Sequence, residues 1–251
     1  PLPSISYMDK ISTEVLFCYT KNMKLLLTSN GLSNESIAKA FSDLIGKEPS
    51  QSKVAFIPTA ADCERGDKYW LIDDLYRIKA RGYQIDIIDI AVLDIEAITQ
   101  ALNGADAICI GGGNSFYLNY WMQKSGLFEL LPELLKTKVY AGISAGSMIA
   151  SHSLRLSSQA LKKVGPLTEE DYDTLGPRGE SSAKTLQLVD LEFKPHLDSQ
   201  KHSNMRTEEF IRKAAMTIDK PIYALDDQSA LKIIDGEVEV ISEGKWILLN
   251  S

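Results

Sequence analysis

The sequence predicts an α/β fold, a doubly wound and mostly parallel sheet sandwiched by helices, with a C-terminal antiparallel meander. Three observations carry this prediction. Short, nearly continuous apolar runs recur from residue 23 onward, as expected of strands buried on both faces of a parallel sheet. Amphipathic stretches of helical period separate them, and strand–helix alternation implies right-handed crossovers in a layered sandwich. Near the C-terminus, Asp235-Gly236 and Glu243-Gly244 punctuate strand-like segments with turn signals.

The first strand is Met23-Lys24-Leu25-Leu26-Leu27-Thr28-Ser29-Asn30. Residues Pro1–Asn22 do not continue this rhythm and are expected to be an expression-derived or upstream extension. Residues 23–251 are then a single domain. Further strands are predicted at Val54–Pro58, Gln84–Ile88, Ala107–Ile110 and Val139–Ile143. Helical patterns fall at Asn34–Ile45, Tyr69–Arg81, Asp94–Leu102, Ser115–Lys124 and Leu127–Lys136, with Asn34, Asp94 and Asn114 as N-caps. Ser158–Ser182, rich in charge, Gly and Pro, reads as a long surface excursion. Strand-like segments return at Leu186–Lys194, Ile222–Leu225, Ala230–Ile234, Glu237–Ser242 and Lys245–Leu249.

Composition narrows the function. The 251 residues are 44% hydrophobic and 24% charged, which is globular rather than disordered. A net charge of −7 without a basic stripe argues against nucleic acid as a partner. No run approaches the ~20 apolar residues of a membrane span. The three cysteines form no CxxC pair, and Cys109 lies in an apolar run as a buried small hydrophobe. A reducing cytoplasm without a membrane anchor is the expected setting.

The sharpest chemical signal is Gly142-Ile143-Ser144-Ala145-Gly146, directly after a buried strand. In a strand–turn–helix context, G-x-S-x-G places a serine on a tight turn with its hydroxyl projecting. The Ala145 amide then stands at the start of a helix, where it can donate to an oxyanion. Ile110-Gly111-Gly112-Gly113-Asn114-Ser115-Phe116 also follows a strand and opens a helix. It lacks the GK[ST] ending of a phosphate loop and fits better as the other half of an oxyanion hole, at strand ends where ligands of open α/β sheets bind.

A general base must come from three histidines. His152, placed on the helix after Ser144, would lie ~12 Å along its axis, beyond direct reach. His202 sits in a polar segment. His196 closes the strand-like run at Pro195 and is the favoured base. The orienting carboxylate is open among Asp227, Asp226, Asp198 and Asp190, with Asp227 favoured because it follows the strand Ile222–Leu225. No HExxH, paired Cys/His or EF-hand spacing points to a metal.

Taken in order, Phe56-Ile57-Pro58-Thr59-Ala60, Gly111-Gly112-Gly113-Asn114-Ser115-Phe116, Gly142-Ile143-Ser144-Ala145-Gly146 and Pro195-His196 resemble the peptidase E (aspartyl dipeptidase) family of serine peptidases, which includes cyanophycinases. The resemblance spans Met23 to about Leu249. It implies a fold similar to class I glutamine amidotransferases, with serine in place of cysteine. It also implies hydrolysis of short peptides through an acyl-enzyme, with no metal or organic cofactor.

By this resemblance Ser144 is the nucleophile, His196 the base and Asp227 the third member. Gly112 and Ala145 supply oxyanion amides, Asn114 contacts substrate, and Arg206 lies near an arginine proposed to hold an N-terminal aspartate. Two departures weaken the expectation of aspartyl preference. Some members carry a further aspartate about fifteen residues after the nucleophile, where this chain reads Ser157-Ser158-Gln159, and the Ser144–His196 interval is longer. An amidase or a non-catalytic ligand binder are the competing readings, and the chain is expected to be a monomer or homodimer.

Overall fold

The computed structural model describes residues 23–157, 184–199 and 204–251. The extension 1–22, the whole of the predicted excursion and His202 lie outside the described residues.

The first strand, β1 (Lys24–Thr28), organises the main sheet. It pairs in parallel with β5 (Val139–Ile143) and antiparallel with β8 (Ser229–Ile234). With β2 (Lys53–Ile57), β3 (Gln84–Ile87), β4 (Ala107–Ile110) and β9 (Glu237–Ser242), the order is β3-β2-β4-β5-β1-β8-β9. Because side chains alternate across a strand, one continuous apolar run feeds two cores. Leu25, Leu27, Ile108, Ile110 and Tyr140 face one; Leu26, Val54, Phe56, Cys109 and Ala141 face the other.

Helices cover both faces. Helix α1 (Glu35–Ile45) and α2 (Tyr69–Ala80) contribute Phe41, Leu44 and Ile78 to the second core. On the first, α3 (Ile95–Asn103), α4 (Ser115–Lys124), α5 (Leu127–Leu134) and α6 (Ala145–Ala150) supply Ile98, Leu118, Leu131 and Ile149. Asn34, Asp94 and Asn114 each accept an amide from the first turn of the helix they precede, so the expected caps form. The α/β class is as predicted, except that β3 is a partly exposed edge strand rather than one buried on both faces.

The C-terminal meander is divided between two sheets. Asp235 and Gly236 adopt positive φ (53° and 85°) and close the β8–β9 hairpin on the main sheet. The Glu243-Gly244 turn instead sends β10 (Trp246–Leu249) away to a second sheet. There it pairs antiparallel with β7 (Ile222–Leu225), which runs parallel to β6 (Glu192–Pro195). Asp226 causes the departure: its Oδ2 accepts the Lys245 amide at 2.6 Å, and a methyl group at Gly244 would lie 2.1 Å from that oxygen. Only a glycine lets the chain pass so close.

Two further expectations change. The run Leu186–Lys194 is strand only from Glu192, since the amides of Leu186 and Leu188 are spent on the Ile149 and Ala150 carbonyls at the end of α6. Asp190 therefore stands in a bend, not a strand. Helix α6 ends at Ala150, so His152 lies beyond it, with Nδ1 3.0 Å from Asp190. Among the described residues, no helix is long and apolar enough to cross a membrane.

Strand β6 turns Glu192 and Lys194 to the same side, and both are buried. The Glu192 Oε1 accepts from Ser153 at 2.5 Å, while Oε2 has no partner. Burial pushes this carboxyl up to about 7, against the opposing pull of Ser153. Its ionised form is thus disfavoured in the fold but not in the unfolded chain, where it ionises near ~4.3. Its contribution to stability declines as pH rises from about 4 towards 7, then levels off. Glu192→Gln is expected to flatten this slope, so that the variant's urea midpoint gains on wild type between pH 5 and pH 8, on the order of 2 kcal/mol in unfolding free energy.

Candidate active site

Strand β5 leads directly into Ser144, which adopts φ 49° and ψ −100°, a sparsely populated conformation for a non-glycine residue. The end of β1 holds it there. The Ser144 amide donates to the Thr28 carbonyl at 2.9 Å, and Ser147 Oγ donates to the same carbonyl at 2.8 Å while accepting the Thr28 amide at 2.9 Å. The flanking glycines make room for this turn. A methyl group at Gly142 would lie 2.6 Å from the Ser147 amide nitrogen, and one at Gly146 2.1 Å from the Ile110 carbonyl oxygen.

His196 directly follows β6, at φ 63°. Its amide donates to Ser29 Oγ at 3.2 Å, and that hydroxyl donates to the Leu225 carbonyl at 2.9 Å. The loop after β1 therefore ties the second sheet to the first. Across this junction His196 Nε2 lies 2.9 Å from Ser144 Oγ, and Nδ1 lies 2.5 Å from Asp227 Oδ1. With Asp227 accepting at Nδ1–H, the neutral imidazole presents a bare Nε2 to the serine. Burial holds the imidazole below its ordinary value; the hydrogen bond with Asp227 opposes this, and the nearby Arg206 and Lys194 cations add to the lowering.

The other carboxylates are occupied elsewhere. Asp226 builds the turn, accepting from Gln228 N, Ser229 Oγ and Lys245 N. Asp198 accepts the Glu208 amide at the start of α7 (Glu208–Ala215) and pairs with Lys245 at 2.7 Å. Asp190 bridges His152 and Lys220. Of the four acids left open by the sequence, Asp227 is the one that meets His196.

Gly112 abuts the serine: a methyl group on it would lie 3.5 Å from Ser144 Cβ and 3.8 Å from Trp70 Cζ3. Among the described residues neither the Gly112 nor the Ala145 amide has a backbone acceptor, which leaves both donors available beside Ser144. Asn114 spends its side-chain carbonyl on the Phe116 and Tyr117 amides, so only its NH2 remains for a ligand. Arg206 has a buried Nη1 without an acceptor, and burial lowers its guanidinium to about 10. Among the described residues no group of His, Cys, Asp and Glu is arranged to hold a metal ion.

A family model, Peptidase family S51, matches residues 25–241. The chain belongs to peptidase family S51. Peptidase E of Streptomyces coelicolor is 30% identical over 225 residues, covering 84% of this chain and 81% of that protein. An uncharacterized peptidase of Pasteurella multocida is 30% identical over 225 residues, covering 87% of this chain and 96% of its own. The 1.5 Å crystal structure of a Listeria monocytogenes EGD-e protein assigned as peptidase E superposes with a TM-score of 0.68 at 25% identity, covering 88% of this chain and 99% of that one. This S51 chain is a serine peptidase, and peptides are its substrates.

Several neighbours of the site escaped sequence reasoning. Ser29, Trp70 and Lys194 belong to no motif, and Lys245 merely follows the Glu243-Gly244 turn signal. Only the adjacency of Lys194 to Pro195-His196 was a signal, and it is weak by itself. The geometry of the turn yields one expectation. Gly146→Ala should lower the thermal midpoint by several degrees, the equivalent of about 2 kcal/mol or more, whereas Gly112→Ala should leave it near wild type. Thermal unfolding followed by circular dichroism checks both.

Proposed function

We propose that this S51 peptidase is a dipeptidase or exopeptidase that cleaves short peptides through an acyl-enzyme on Ser144. The observation that carries the reading is the unbroken hydrogen-bonded chain from Ser144 Oγ through His196 to Asp227, at 2.9 and 2.5 Å. Ser144 Oγ attacks the scissile carbonyl carbon as its proton passes to His196 Nε2. Asp227 holds the imidazole in the needed tautomer and stabilises the imidazolium that forms. The tetrahedral oxyanion receives the amides of Gly112 and Ala145. His196 then returns the proton to the departing amine. Water, deprotonated by His196, attacks the acyl-enzyme, and collapse of the second tetrahedral intermediate releases the acid and restores Ser144.

The low-lying imidazole supports its assignment as base, because it stays unprotonated further into the acid range than an ordinary histidine. Protonation removes the base, so kcat/KM rises with pH through the His196 value. The midpoint of that acid limb is expected below ~6.5 in a pH–rate profile. Asp227→Asn keeps the shape but cannot hold the Nδ1–H tautomer. Its kcat is expected to fall on the order of 10³–10⁴-fold with an unchanged thermal midpoint. Near-wild-type turnover would remove Asp227 from the mechanism.

A preference for N-terminal aspartate is supported by Arg206, whose buried, acceptor-less Nη1 suits a carboxylate fork. Burial and the neighbouring Arg206 hold the Lys194 ammonium down to about 7, so Arg206 is the stronger cation on that side. Hydrolysis of Asp-Leu, Glu-Leu, Ala-Leu and Leu-Leu by wild type and Ser144→Ala tests both parts. Serine-dependent cleavage confined to Asp-Leu is the expected outcome. Equal cleavage of Ala-Leu would discard the acidic preference while leaving the peptidase.

A further inference from the structure

Three separate stretches bring His196, Asp227 and Arg206 to the site, and one residue far along the sequence, through its side chain and its backbone, touches all three stretches. Lys245 opens the approach to β10. Its Nζ donates to Asp198 Oδ2 at 2.7 Å and to Glu208 Oε2 at 2.8 Å. Its amide donates to Asp226 Oδ2 at 2.6 Å, and its carbonyl accepts the Asp226 amide at 3.0 Å. Asp198 is two residues past His196, Asp226 precedes Asp227, and Glu208 is two residues past Arg206.

The stretches are also joined to each other there. The Asp198 amide donates to the Arg206 carbonyl at 2.9 Å, and Asp198 Oδ1 accepts the Glu208 amide at 3.0 Å. Asp198 and His196 both hold positive φ, 55° and 63°. Such backbone persists only where its surroundings over-determine it. We propose that Lys245 is a positioning residue for the peptidase site: its ammonium, chelated by Asp198 and Glu208, clamps the His196 loop and the Arg206 segment onto the Asp227 turn.

This rests on the reading of Ser144 and His196 as nucleophile and base. An isolated ion pair that is about half exposed contributes little to stability. Here one cation bridges two carboxylates while its own backbone is pinned, so the ammonium acts on the alignment of His196 more than on the fold. Small misplacements at a nucleophile–base contact cost large factors in rate. Because the clamp is electrostatic and solvent-accessible, its effect should be screened by salt.

The test is the second-order rate at which a fluorophosphonate labels Ser144, a readout that needs no knowledge of the peptide substrate. Ser144→Ala serves as the blank, and thermal midpoints are measured in parallel. Lys245→Met keeps the aliphatic stem and the backbone bonds to Asp226 but removes the ammonium. It is expected to label about tenfold more slowly at low salt, with a midpoint within a few degrees of wild type. Lys245→Arg, which can span both carboxylates, should restore most of the rate. Raising sodium chloride to 1 M should slow wild type towards the Lys245→Met rate and leave that variant unchanged.

Should Lys245→Met fold poorly, Asp198→Asn keeps the Glu208 cap and weakens the same clamp, and it should show the same rate loss and salt response. Labelling of both variants at the wild-type rate overturns the clamp and leaves the Ser144 reading intact. A rate loss that tracks a fallen midpoint, without rescue by Arg or any salt response, likewise overturns it. Absence of Ser144-dependent labelling in wild type overturns the clamp together with the reading beneath it.

Discussion

The site depends on the buried hydroxyl of Ser29. Ser144 belongs to the main sheet, while His196 and Asp227 follow strands of the second, and nothing in either sheet's own ladder fixes the distance between them. Ser29, in the loop after β1, accepts the His196 amide and donates to the Leu225 carbonyl. One hydroxyl thereby bonds the ends of both β6 and β7 to the strand that also anchors the Ser144 turn through Thr28. A fully buried polar group with both roles satisfied is rigid as well as stabilising, since any shift leaves a donor or acceptor unmet. Ser33 Oγ and Asn34 Nδ2 reinforce the arrangement by donating to the Asp227 and Gln228 carbonyls.

The strained turn at Ser144 follows the same logic. Its dihedral angles are unfavourable in isolation, and they are retained because Gly142 and Gly146 allow backbone atoms to approach where any side chain would collide. Gly146 has a second function, since Tyr140 donates its phenol to the Gly146 carbonyl at 2.5 Å from inside the core. The packing that buries Tyr140 thus also restrains the start of α6. The Gly112 and Ala145 amides nearby are held by this same scaffold without a backbone acceptor among the described residues.

Much of this was legible in the sequence because it follows from local rules. Buried parallel strands announce themselves as unbroken apolar runs, and Asn34, Asp94 and Asn114 announce helix starts. The glycines around Ser144 mark a turn that only small residues permit. What resisted reading depends on partners distant in the chain. Asp226 and Asp227 are adjacent and chemically equivalent, and their partners in the fold, Gln228, Ser229 and the distant Lys245 for one and His196 for the other, separate them. The division of the meander has the same origin. Glu192 and Lys194 are charged residues in a strand, which ordinarily marks a solvent face. Here they are buried because Ser153 Oγ and the Leu156 carbonyl, across a long insertion in sequence, lie within 2.5 and 2.8 Å of them.

The placement of β10 carries a consequence for when Ser144, His196 and Asp227 can come together. Ser144 and its glycine turn follow β5, and every strand of the main sheet precedes them in sequence apart from β8 and β9. Asp227, by contrast, sits on a turn closed by backbone bonds to Lys245, beyond β9. In a growing chain Ser144 therefore emerges well before the turn that carries Asp227 to His196 can close. The hydrogen-bonded chain from Ser144 through His196 to Asp227 is thus complete only once the last strand of the fold is in place.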